Sequence, residues 1–221
     1  MADQIQHSGA LIAIEGTRGK DVSAAAAALI AGLNERHVEC AISRFDASGL
    51  FGELAAGQGD RNVSVRTLTL VYAADLAFRL RWEIRPVLES GGIVIAAPYT
   101  ETAVAFGAAA GLEEGWIREL LRFAPKPGFR SRAEERKMDR GWKPRLDRGY
   151  GEYCAAMLEA SMPKASWKQT RREAMALLHR PKGRKIYQLK HDNVAELVRA
   201  ITGSRRDAGR RSASTPRNAR T

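Results

Sequence analysis

The chain has 221 residues, 36 of them lysine or arginine against 25 aspartate or glutamate, for a formal net charge of +11 with 44% hydrophobic residues. That is enough chain to bury one sizeable core, but no apolar run is long enough to cross a bilayer and the opening MADQIQHSG lacks a secretory pattern, so a single cytoplasmic domain is expected. Cys40 and Cys154 are far apart and lack metal or redox spacing, which argues against a disulfide scaffold or a zinc site.

In chain order, ALIAIE from Ala10 is a continuous apolar run, the pattern of a strand buried on both faces. EGTRGKDVS follows, and an alanine-rich helix is expected over Asp21 to Asn34. ECAISR from Glu39 reads as a second strand. The long helix expected over Arg66 to Glu89 repeats Leu68, Tyr72, Leu76, Leu80 and Ile84 at helical spacing. GIVIAA from Gly92 is a third strand, and ETAVAFGAAAGLEEGWIRELLRFA gives two helices broken near Gly111. A basic stretch from Arg122 to Arg148 holds ten basic and four acidic residues, and GYGEYCAAMLEAS reads as a further helix. RKIYQL from Arg184 is a fourth strand, and Asn193 to Ile201 a last helix. From Gly203 the chain carries six arginines and one aspartate with nothing apolar to bury, so residues 203–221 are expected to be a disordered basic tail behind a domain spanning 1–202.

Strand, glycine turn, helix, strand, long helix, strand is the order of a P-loop NTPase-type fold, a three-layer α/β/α arrangement on a parallel sheet. Ligands of such sheets sit at the carboxyl ends of the strands. A phosphate-binding loop, G-x-x-x-x-G-K-[ST], uses backbone N–H groups, a lysine and a hydroxyl that holds magnesium. Counting from Gly16 puts Asp21 at the glycine, Val22 at the lysine and Ser23 at the hydroxyl, with Gly19 inside the loop. Only Ser23 matches. Lys20 is the nearest cation, and a solvated loop lysine is the competing reading for it.

These pieces together resemble the thymidylate kinase family of nucleoside monophosphate kinases. IAIEG is similar to its first strand and Glu-Gly, and SRFDASG falls where the family has an Arg-Glu-Pro-Gly-Gly loop. LVYAADLAFRLRWEIRPVLESGGIVIAAPY resembles its Phe-Ala-Ala-Asp-Arg helix and the strand ending in Asp-Arg-Tyr. The resemblance implies nucleotide contacts from Gly16, Gly19, Lys20, Ser23, Arg44, Tyr72 and Tyr99, with Tyr72 in the place of the base-stacking aromatic. If the protein is active, Lys20, Arg79 and the lid-like arginines Arg136 and Arg140 of segment 122–148 would act on the phosphates, with ATP and Mg2+ as cofactors and Ser23 on the metal. The departures fall on the same chemistry: Ala97 and Pro98 replace the Asp-Arg pair, and Leu76 the helix arginine. The family's strand before the arginine-rich segment has no counterpart in PKPGFRSRAEERKMDRGWKPRLDRG.

Three readings follow. The first is a catalytically impaired thymidylate kinase-like protein that binds a nucleoside monophosphate or another partner, with a homodimer through the long helix left open. The second is an active kinase with a rebuilt site. The third is a nucleic-acid-associated protein using its basic surface and tail.

Overall fold

The computed structural model describes residues 9–56, 63–134, 164–180, 186–189 and 194–213. Five parallel strands form one sheet in the order β2-β3-β1-β4-β5. They are β1 (Ala10–Glu15), β2 (Ala41–Arg44), β3 (Ile93–Ala97), β4 (Phe129–Ala133) and β5 (Ile186–Leu189). The central strands obey period-two alternation between two buried faces. Ile12, Ile14, Ile93 and Ile95 pack beneath α1 (Gly19–Asn34) and the last helix, α8 (Val194–Ala213). Leu11, Ala13, Val94 and Ala96 belong to the opposite core. That core is built with α3 (Val65–Arg79), α5 (Thr100–Ala109), α6 (Glu114–Leu120) and α7 (Lys164–His179). The sheet is therefore covered on both faces, as parallel sheets require.

The long helix expected from Arg66 starts one residue earlier, where the Ser64 side chain accepts the Thr67 N–H as an N-cap. It continues through a π-helical turn (Leu80–Ile84) into α4 (Arg85–Glu89). Pro86 has no N–H to give the carbonyl four residues back, and the wider turn just before it accommodates that loss. A short helix, α2 (Leu50–Ala56), lies between β2 and α3.

Two expectations are corrected. The strand thought to be missing is β4, which pairs with both β1 and β5. Its sequence, FRSRA, conceals it, because the apolar side chains fall only on alternate residues. Helix α8 runs through Ala213, so the segment from Gly203 begins as helix and the boundary at residue 202 falls inside it. Arginine and alanine favour helix, and no proline intervenes before Pro216. The helix expected in GYGEYCAAMLEAS lies outside the described residues, as does the segment from residue 135 to 148 with Arg136 and Arg140. Among the described residues no helix is long and apolar enough to cross a membrane.

Candidate functional site

The carboxyl ends of β1, β3 and β2 form the edge where ligands of such a sheet bind. At the end of β1, Glu15 is buried and its carboxylate is aimed at the start of α5. Oε1 accepts the Glu101 N–H at 3.1 Å; Oε2 accepts the Tyr99 and Thr102 N–H groups at 3.2 and 2.9 Å and the Thr102 hydroxyl at 2.6 Å. Tyr99, the N-cap residue of α5, supplies no capping side chain of its own. A glutamate from the neighbouring strand thus satisfies the helix's orphan donors. Burial pushes the Glu15 carboxyl above its ordinary range, and the like charge of Glu101 adds to this against the Thr102 hydrogen bonds. The Gly16 N–H in turn donates to Thr102 Oγ1 at 3.2 Å, which joins the loop to the same corner. A Cβ on Gly16 would stand 2.7 Å from Val22 Cγ2.

Helix α1 begins at Gly19, with Arg18 in extended conformation as N-cap. Val22 points into the core beneath β1, at the position where a phosphate-binding loop needs its lysine. Arg18 and Asp21 are both buried and ion-paired, Arg18 Nε to Asp21 Oδ2. Asp21 lies in the first turn of α1, where the positive end of the helix dipole favours an anion. The chain supplies that anion itself. Lys20 is half-buried on the second residue of the helix, and Ser23 is exposed. Opposite charges three residues apart were the signal for this ion pair.

Arg79 is fully buried; its Nε donates to Ser43 Oγ at 2.9 Å, and Nη2 donates to the carbonyls of Ser43 and Pro98 at 3.0 and 2.9 Å. Its Nη1 stands 3.8 Å from Asp75 Oδ2, and neither atom has a hydrogen-bond partner among the described residues. Asp75 Oδ1 accepts from the Ser48 N–H and hydroxyl. The arginine expected to reach a phosphate instead ties α3 to the ends of β2 and β3. Asp46 accepts the Phe51 and Gly52 N–H groups and so caps α2, leaving loop 44–49 committed to local structure. Arg44 is exposed at the end of β2.

Tyr72, expected to stack on a base, is fully buried, with its hydroxyl donating to the Tyr99 carbonyl at 2.8 Å and its ring stacked on Phe45 at 5.9 Å between centroids. Phe45 also packs on Phe51 at 4.7 Å. The Tyr99 hydroxyl donates to the Pro125 carbonyl. Burial raises the pKa of both phenols. Sequence reasoning placed Tyr72 at this edge but missed Phe45, whose ring stacks on it.

Beside the Glu15 corner, Glu101 accepts a fork from Arg118, Nη1 at 3.0 Å and Nη2 at 3.2 Å, and a third bond from Arg130 at 3.1 Å. The hydrogen bond to Glu101 raises the pKa of Arg118. No cluster of three His, Cys, Asp or Glu residues suited to a metal ion occurs among the described residues. In the loop itself Val22 is uncharged and buried, Asp21 is paired with Arg18, and Ser23 is exposed.

The fold and the strand-end loop together define a P-loop-like α/β protein. No family model matches the chain. It is similar to the thymidylate kinase of Thermomicrobium roseum, 35% identical over 119 residues that are 51% of this chain and 55% of that protein. It is also similar to the probable thymidylate kinase of Thermococcus gammatolerans, 30% identical over 54% of this chain and 62% of the relative. For the probable thymidylate kinase 2 of Saccharolobus solfataricus the values are 30%, 55% and 57%. The matches thus span a little over half the length of these curated relatives. Over that stretch the chain is thymidylate kinase-like.

Proposed function

We propose that this thymidylate kinase-like chain works by binding a partner and does not transfer a phosphoryl group. The observation that carries the reading is the interior of the loop: Val22 is in the core where the lysine is needed, and Asp21, paired with Arg18, occupies the helix N-terminus. A carboxylate there repels a phosphate, and no cation from position 22 neutralises the transferring group. Losing a single such contact typically costs a hundredfold or more in rate. The burial of Arg79 and the Phe45–Tyr72 stack support the same conclusion for the acceptor side.

A second copy of the chain is the partner we favour. Leu70, Phe78 and Trp82 are 46%, 41% and 62% exposed, and their spacing places them along one outer face of the long helix.

The test pairs a coupled assay for ATP-dependent conversion of thymidine monophosphate with calorimetric titration by ATP and magnesium. No turnover and no ATP heat are expected. Clear ATP-dependent turnover would refute the reading and return the protein to the kinases with a rebuilt site.

A further inference from the structure

Strand β4 breaks the rule that a strand paired on both sides in a parallel sheet is apolar on both faces. Phe129 and Ala133 join the core beneath α1, and Ser131 donates to the Ala13 carbonyl. The alternate residues, Arg130 and Arg132, face α7. Two arginines there are costly unless their donors are used. Arg130 pairs through Nη1 with Glu101 at 3.1 Å. Arg132 donates Nη1 to the Leu178 carbonyl at 3.1 Å, while its buried Nε has no acceptor among the described residues. Arg180, just beyond the end of α7, is exposed.

Arg130, Arg132 and Arg180 are among the residues that line one cavity of about 20 Å³, partly open to solvent. We infer that the cavity seats an oxyanion, a phosphate group either free or carried on a small phosphomonoester, bound by Arg130, Arg132 and Arg180. A space of that size takes one or two water-sized groups. One phosphate oxygen fits inside, and the rest of the tetrahedron stands in the mouth toward Arg180. Guanidinium donors are suited to such oxygens by planarity and charge. Glu15 and Glu101 also line the cavity, but their oxygens already accept from Tyr99, Thr102, Arg118 and Arg130. Burial, which lowers the pKa of Arg132, is the strain that an anion would relieve. The site lies on the sheet face opposite α1, and no residue of the Gly16–Ser23 loop lines it.

The test is calorimetry on the full chain with inorganic phosphate and, separately, glycerol 3-phosphate, at ionic strength held constant with chloride. Saturable binding of either probe is expected. Binding of both marks a site for free phosphate, and binding of glycerol 3-phosphate alone one for a phosphomonoester. R180A, which alters an exposed side chain and leaves folding intact, should weaken binding about tenfold, and R132Q should weaken it further. K20A, in the loop, should change nothing. Absence of saturable heat with both probes, equal affinity in R180A and R132Q, or loss of binding in K20A would each overturn the inference.

Discussion

Replacing Arg79 by methionine separates the structural from the catalytic reading of that residue. The substitution keeps the volume of the stem and removes three hydrogen bonds, from Nε to Ser43 Oγ and from Nη2 to the Ser43 and Pro98 carbonyls. It also strips the charge from beside the fully buried Asp75. Breaking a buried ionic pair by removing one partner costs about 3–5 kcal/mol, a large part of the roughly 5–15 kcal/mol that holds a typical domain together. At about 2–4 °C per kcal/mol, the melting temperature should fall on the order of 10 °C. Thermal unfolding followed by circular dichroism measures this directly. Asp75→Asn added to Arg79→Met should recover part of the loss, because the uncompensated carboxylate is the costliest remnant and the two effects are then non-additive. If Arg79→Met is within about 0.5 kcal/mol of the parent, an amount typical of surface positions, the web from α3 to β2 and β3 does not stabilise the fold and the argument fails.

Gly16→Ala should destabilise by about 1–3 kcal/mol, since its Cβ would meet Val22 Cγ2 at 2.7 Å and both lie in packed surroundings, as read by thermal melting. Glu15→Gln should cost about 1–3 kcal/mol because an amide NH2 would confront one of the backbone N–H donors. The same pair reports the titration of Glu15. Its folded pKa is raised, so the proton stabilises the fold at low pH, and that contribution is lost as pH rises from the ordinary carboxylate range through the raised value. The margin of the parent over Glu15→Gln should therefore shrink with rising pH; a margin that grows would contradict the direction of the shift. Trp82→Glu, at a 62% exposed position on the outer face of the long helix, should shift light-scattering mass toward the monomer without lowering stability by more than about 0.5 kcal/mol.

The parts of the fold that were legible in the sequence are those whose side chains are apolar on both faces. ALIAIE and GIVIAA declare β1 and β3 because a strand in the middle of a parallel sheet has no wet side. Strand β4 occupies a similar place, yet two of its five side chains are arginines with a serine between them, so FRSRA does not declare a buried strand. Helix α7 is not among the expected elements, although Thr170, Ala174 and Leu178 mark one buried face at four-residue spacing. At the candidate site, the identities at positions 21 and 22 could be read from spacing alone. What spacing could not reveal was depth. Helical periodicity aligned Arg79 with Asp75, but only the packed structure shows that its guanidinium is spent on carbonyls inside the body.

The corner formed by Glu15, Gly16 and Thr102 changes how this protein should respond to its surroundings. A protein whose phosphate loop is completed by nucleotide gains stability by mass action, and so is sturdier in a cell rich in that nucleotide than in a depleted one. Here the Gly16 N–H closes onto Thr102, and Asp21 closes onto Arg18. The anion that would otherwise arrive from solution is covalently part of the chain, at a local concentration no metabolic state can alter. On this reading the loop side of the corner draws no stability from nucleotide supply.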